Sequence, residues 1–237
     1  MALTKVIGSG VGELTNKVGL GLSSPAAVLH VQTSTDGTGL SGDDTYVARF
    51  HNQEATSDRS FGVDIQAGSS TTDQALRIKD HDGTNTLMIV DGLGHITKPK
   101  QSAFLVTMSS NSAQFGTSGL NPSFDTEIFD QNADFASNTF TAPVTGRYYL
   151  SCLLYGYYLD NDATYYFFSI QTSNRNYYKY LGGGQWDSDA IFYGVDIQLL
   201  VDMDANDTAS ISVGQNGGHS SSQILASNSF FSGHLVC

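Results

Sequence analysis

Charge is what this sequence has least of. Asp, Glu, Lys and Arg make up 14% of its 237 residues, against roughly 25% in ordinary soluble domains. The few charges are also lopsided. A formal net charge of −12 makes contact with nucleic-acid phosphate repulsive overall, and the scattered lysines and arginines form no basic patch to offset it. Nucleic acid is therefore not expected as a partner. An acidic surface favours solubility and discourages sticking to other acidic surfaces.

Other absences narrow the class further. The start carries no positively charged segment followed by an apolar one, so no secretory leader is expected. No apolar run approaches the ~20 residues that span a bilayer, so membrane insertion is not expected and synthesis in the cytosol is. There are only two cysteines, Cys152 within a strand pattern and Cys237 at the end. A buried small hydrophobe and an incidental terminal thiol fit them better than a disulfide. No long stretch repeats apolar residues at i, i+3, i+4 and i+7, which removes the α-helix as a main element.

Catalytic signatures are missing as well. There is no H-E-x-x-H, no C-x-x-C, no G-x-S-x-G and no phosphate loop ending in Gly-Lys-Ser/Thr. Gly8-Ser9-Gly10-Val11-Gly12 is glycine-rich, but no strand precedes it and no helix follows, so it reads as a flexible lead-in. The six histidines are scattered and suggest no metal site. Glycan hydrolysis would need two carboxylates flanking a groove, and nothing singles out such a pair. The expectation is a protein that is not an enzyme and needs no cofactor.

What the sequence does have is Ser, Thr, Asn and 25 glycines interleaved with Phe, Tyr, Val and Ile. β-Branched and aromatic residues suit a pleated surface, and Gly and Asn suit tight turns. The fold class expected is all-β. Alternation is clear in Val195-Asp196-Ile197-Gln198-Leu199-Leu200-Val201 and recurs in Ala209-Ser210-Ile211-Ser212-Val213, each with one apolar face.

Four regions follow from the pattern. Residues 1–22 cannot bury enough surface to fold alone and read as an anchoring segment that orders against another chain. Residues 23–98 read as a small β-rich shaft or collar, with strands over Val28–Val31, Tyr46–Phe50, Phe61–Ile65, Ala75–Ile78 and Thr86–Val90. Asp36-Gly37, Asp82-Gly83 and Asp91-Gly92 punctuate it as turns. Residues 99–101 are a linker, where Pro99 interrupts pairing. Residues 102–237 form the head.

Two runs in the head are specific. Phe140-Thr141-Ala142-Pro143-Val144-Thr145-Gly146-Arg147-Tyr148-Tyr149-Leu150 and Phe231-Ser232-Gly233-His234-Leu235 resemble the C1q-like branch of the C1q/TNF-like jelly rolls. Domains of that branch typically carry F-T-A-P-x-x-G-x-Y-x-F and finish on F-x-G-x-L. The resemblance covers about Ser102 to Val236, and Asn206-Asp207 stands where a Gly-Asp turn is usual. It implies a jelly-roll sandwich assembled as a homotrimer for display and binding.

Lys17-Val18-Gly19-Leu20-Gly21-Leu22-Ser23-Ser24-Pro25-Ala26-Ala27-Val28-Leu29-His30-Val31 is similar to the G-x-V-G-I-G-T-x-S-P-x-x-x-L-x-V element of phage tail-fibre and spike shafts. Leu20 and Leu22 replace the usual Ile and Thr. Asp91-Gly92-Leu93-Gly94-His95-Ile96 resembles a truncated second copy, and the opening Met-Ala-Leu-Thr-Lys-Val is similar to the start of short phage fibre proteins. These likenesses imply a protein of the virion exterior. Residues 1–98 would meet phage tail or capsid proteins, and the head would meet a host-surface glycan or protein. A trimeric capsid decoration or cement protein is the alternative reading. No Gly-X-Y stalk precedes the head.

Aromatic density in the head exceeds what one sandwich needs. Successive strand residues face opposite sides, so Tyr149, Tyr155, Tyr157 and Phe167, with His234, are expected at a trimer interface, where large aromatic faces are normal. Around Gly182-Gly183-Gly184, Trp186, Tyr177, Tyr178, Tyr180, Asp187 and Asp189 are candidate ligand contacts. Aromatic faces stack on sugar rings, and carboxylates bond hydroxyls. Packing of Trp186 under the loop is weighed equally with ligand contact, and packing is favoured for the tyrosines.

Asp202-Met203-Asp204-Ala205-Asn206-Asp207 spaces oxygens like the start of a calcium loop. An EF-hand would need Gly and Glu where Asp207 and Val213 stand. The resemblance to C1q-like trimers, many of which hold calcium near the axis or apex, leaves an ion open. Asp125, Asp130, Asp160, Asp202 and Asp204 are the candidate calcium ligands.

Overall fold

The computed structural model describes residues 18–20, 29–31, 50, 57, 62–219 and 221–237. The chain divides into two compact units, Met1–Gln66 and Ala67–Cys237.

In the first unit, β1 (Val18–Leu20) pairs in parallel with β2 (Leu29–Val31), Val18 standing opposite Leu29. Both strands fall within the shaft-like run. The strand expected over Tyr46–Phe50 lies outside the described residues except for Phe50. The one expected over Phe61–Ile65 does not form across Gly62–Ile65. Val63 and Ile65 stay exposed there, and a strand without a partner leaves its backbone groups unpaired.

The second unit opens with a three-stranded antiparallel sheet of β3 (Gln74–Lys79), β4 (Thr86–Asp91) and β5 (Ile96–Thr97). The expected Asp82-Gly83 turn joins β3 to β4, with Gly83 at φ +74°. Asp91 closes the next turn by accepting the backbone N–H groups of Leu93 (2.8 Å) and His95 (3.0 Å). The segment read as a linker is tied to the head. Gln101 Nε2 donates to the Leu235 carbonyl at 2.6 Å, and Gln131 Nε2 to the Lys98 carbonyl at 3.0 Å.

The head is a sandwich of two five-stranded antiparallel sheets. One has the order β13 (Ala190–Met203), β10 (Gly146–Leu159), β15 (Gln223–Leu235), β6 (Ala103–Thr107), β7 (Thr126–Asp130). The other runs β12 (Asn176–Leu181), β11 (Ala163–Thr172), β14 (Thr208–Gly217), β9 (Thr139–Thr141), β8 (Phe135–Ala136). Neighbours that are distant in sequence, β6 beside β15 and β9 beside β14, give the Greek-key crossings of a jelly roll. Among the described residues there is no α-helix, only a 3-10 turn at Gly183–Gln185.

The alternation in the sequence fills this sandwich. Tyr148, Leu150, Cys152 and Leu154 from β10 meet Tyr166, Phe168 and Ile170 from β11 in one core, with Val195, Val201, Ile211 and Val213. Phe104 is its hub, with ring centroids 4.8 Å from Phe140, 5.1 Å from Phe231 and 5.2 Å from Phe135. The closing Phe231-x-Gly233 follows from that hub. A Cβ on Gly233 would sit 2.6 Å from Leu150 Cδ2 and 2.8 Å from Phe104 Cε1. The chain end is pinned beside Gly146, where Arg147 N–H donates to the Cys237 carbonyl and Val236 N–H to the Arg147 carbonyl, both at 2.7 Å. Tyr148, the first tyrosine of the F-T-A-P run, is buried and donates its hydroxyl to the Val144 carbonyl at 2.7 Å.

Candidate functional site

Two outer faces of the sandwich are rich in aromatic and apolar groups. The first belongs to the β13-β10-β15-β6-β7 sheet. Because Tyr148, Leu150, Cys152 and Leu154 point inward, Tyr149, Leu153, Tyr155 and Tyr157 point outward. Their register partners extend the face. Leu200 and His234 lie opposite Tyr149, Phe230 opposite Leu153 and Phe192 opposite Tyr157. Phe129 stands opposite Leu105 on β6. Rings adjoin across the strands, Tyr155 stacking on Phe192 at 5.6 Å and Tyr149 meeting His234 at 5.6 Å. Leu200 is 57% exposed and Phe192 56%.

Four of the five residues expected at an interface, Tyr149, Tyr155, Tyr157 and His234, thus share this face. Phe167 does not. It sits on β11 in the other sheet, over Gly214. Alternation along each strand shows which aromatics point outward but not which sheet the strand joins. Phe192, Leu200 and Phe129 were not singled out, although alternation around the inward Val195 and Val201 places Leu200 outward.

The second face belongs to the sheet edge β12-β11. Tyr178 and Tyr180 stack at 5.5 Å, Tyr165 meets Tyr180 at 5.6 Å, and Phe167 meets Tyr178 edge-on at 6.1 Å. Asn176 Nδ2 donates to the Tyr178 hydroxyl at 3.3 Å. Here the candidate ligand residues separate. Tyr178 and Tyr180 are exposed, whereas Tyr177, the residue before Tyr178, turns inward against the core. Trp186 is half-buried, packed against Tyr193 at 5.3 Å and Tyr166 at 6.2 Å, apart from the tyrosine row. Asp187 is exposed. Asp189 is also exposed and accepts the Asn161 N–H at 3.1 Å. Tyr165 joins the row without having been expected there.

The five candidate calcium ligands are each engaged by protein donors. Asp125 accepts the Ser109 N–H (2.8 Å) and hydroxyl (2.7 Å), which hold its pKa below the ordinary carboxylate value. Asp130 accepts the N–H groups of Asp134 and Phe135. Asp160 is buried and accepts those of His219 and Asp162. Asp202 pairs with Arg175 at 3.2 Å, and Asp204 accepts the Thr145 hydroxyl at 3.4 Å. In the Asp202–Asp207 run it is Asp207 that organises the turn. It accepts the Ser173 hydroxyl at 2.7 Å, the Asn174 amide at 2.6 Å and the Asp204 N–H at 2.7 Å, with Asn206 at φ +74°. Among the described residues, no three His, Cys, Asp or Glu groups converge to hold an ion.

Strand order and core together define an all-β jelly-roll sandwich. Among solved structures, the head is similar to the globular domain of zebrafish complement 1qA protein, at 16% identity, covering 58% of this chain and 98% of that one with a TM-score of 0.43. It is also similar to murine APRIL, at 7% identity, covering 58% of this chain and all (100%) of that one, again with a TM-score of 0.43. No protein-family model matches the chain, and no curated protein does. The fold assignment rests on the chain's own strand order and motifs.

Proposed function

We propose that this is a non-enzymatic, homotrimeric protein of the phage virion exterior, a short fibre or spike whose jelly-roll head adsorbs to host-surface glycan. The observation that carries the reading is the continuous aromatic face of the β13-β10-β15-β6-β7 sheet. An exposed apolar face of this extent is a liability in a monomer and ordinary at an oligomer interface. Three copies around one axis bury it from all chains at once. The second face supports binding. Tyr165, Tyr178 and Tyr180 offer ring faces and hydroxyls together, the combination that stacks on a sugar and bonds its hydroxyl groups. Three such surfaces on one particle engage a cell with avidity, so each contact can be weak.

The virion setting is supported by the shaft-like Lys17–Val31 run and the opening Met-Ala-Leu-Thr-Lys-Val. Residues 1–98 then contact tail or capsid proteins. Immunogold labelling of intact virions with antibody against residues 102–237, imaged by electron microscopy, tests it. Label confined to the tail is the expected result. Label spread over the capsid makes the protein a decoration or cement component, and unlabelled virions remove the virion reading.

A further inference from the structure

The geometry points to a neutral-saccharide site at the loop end of the head, in an open pocket of about 530 Å³ between Tyr157, Tyr158, Gln114, Gln223, Asp189 and His219. It adds a second site to the tyrosine row and rests on the same reading, that the head takes saccharide. The volume falls within the range of about 300–1,000 Å³ usual for small-molecule sites.

The cavity exists because of one residue's backbone. Along a regular strand, Tyr157 and Tyr158 would face opposite sides of the sheet. Tyr158 instead has φ +52°, a left-handed conformation that bulky side chains rarely adopt. The break in alternation brings both tyrosines to one cavity, their rings 4.5 Å apart and nearly perpendicular at 86°. A backbone outlier of this kind persists only when its surroundings hold it, and such outliers gather at ligand sites.

The surroundings here are a buried polar network. The buried Ser222 donates its hydroxyl to the Tyr158 carbonyl at 2.9 Å and lies 3.3 Å from the Tyr166 hydroxyl. The Asp160 N–H donates to that same tyrosine hydroxyl at 2.5 Å. The Asp160 carboxylate accepts the Asp162 N–H at 2.8 Å and the His219 N–H, and so fixes the loop that forms another wall. Gly218, at φ +70°, lets that loop approach, since a Cβ there would lie 2.6 Å from Asp160 Oδ2. The walls are set before any ligand arrives, which reduces the ordering cost of binding.

The lining also states a ligand class. The exposed Tyr158 ring supplies stacking surface for an apolar sugar face, and Tyr157, at the end of the outward aromatic face, supports it edge-on. Gln223 anchors its amide nitrogen on the Ser112 carbonyl at 3.0 Å, which leaves its amide oxygen to accept from a hydroxyl. Asp189 has spent Oδ1 on the Asn161 N–H, so Oδ2 remains. Gln114 and the His219 ring add donor and acceptor capacity. Among the described residues, no Lys or Arg lines the pocket, and Asp189 repels a second carboxylate. Neutral hexoses and N-acetylhexosamines fit this lining, and acidic sugars such as sialic acid do not.

Saturation-transfer NMR on the full chain tests the site, with the methyl glycosides of glucose, galactose, mannose and N-acetylglucosamine, and with sialyllactose. Two variants separate this cavity from the open row. Tyr158→Gly removes one aromatic wall while relieving the left-handed backbone, so its melting temperature should be equal to or above that of the parent. Tyr178→Ala/Tyr180→Ala strips the row. The expected result is binding of at least one neutral glycoside that weakens about tenfold or more in Tyr158→Gly, the order of one aromatic contact, and persists in Tyr178→Ala/Tyr180→Ala. Binding lost only in the double variant overturns the cavity and leaves glycan adsorption standing. Preference for sialyllactose overturns the chemistry assigned to the cavity. No binding of any of these sugars overturns both the cavity and the glycan reading.

Discussion

Asp160 shows how much one side chain can decide in a protein so poor in charge. It is buried beneath the apical loop, and the His219 N–H, followed by that of Asp162, holds its carboxyl below the ordinary aspartate range despite the opposing cost of burial. Its folded pKa lies below its unfolded value. The stabilisation is therefore fully present above the unfolded value, about pH 4, and is lost as pH falls through the depressed folded value. Asp160→Asn should cost about 1–3 kcal/mol at neutral pH and should flatten that part of the acid limb in urea titrations at several pH values. An unchanged acid limb would show that the carboxylate does not hold the loop. Asp160 stood out in the sequence as an oxygen ligand. Its actual partners, two backbone N–H groups from a turn and a distant loop, leave no mark in local composition. Tyr177 and Tyr178 make the same point. The spacing shows that they face opposite ways, but which of the two faces the core depends on the strand across the sandwich.

At the level of elements, the long strands were the most legible part. The alternation over Val195–Val201 and Ala209–Val213 appears in the structure as inward-facing rows, because a half-buried strand must separate its apolar and polar residues. The F-x-G-x-L ending is explained by β15 crossing Phe104 and Leu150 at Gly233. Gly233→Ala pushes a methyl into two buried side chains and should destabilise the head by about 1–3 kcal/mol, as overpacking does. Thermal and denaturant unfolding would measure it, and a neutral result would mean that the Phe104 cluster has slack. Short, weakly patterned elements were less legible. The strand expected over Phe61–Ile65 has the right residue types but no partner across Gly62–Ile65. β5, β8 and β9 are only two or three residues long, too short for periodicity to register.

For the whole molecule, the proposed trimer depends on the aromatic face being covered. Leu200 is exposed on that face, so Leu200→Asp should leave the fold of a single head intact while placing a charge inside the proposed interface. Light scattering should then give a monomer mass in place of three chains. The parent's melting temperature should rise with protein concentration and the variant's should not. A variant that stays trimeric would move the interface to another surface. The sequence by itself determined the all-β class, the Asp82-Gly83 and Asp91-Gly92 turns (Asp36-Gly37 lies outside the described residues), the inward rows of the long strands and the outline of a jelly-roll head. Those follow from side-chain period and turn chemistry, which are local. Only the tertiary structure decided which strands share a sheet, and so which aromatics share a face. It put Phe167 apart from Tyr149, turned Trp186 inward, and bent the chain at Tyr158 into a cavity. Each of these depends on contacts between residues far apart in the chain, and no local pattern encodes them.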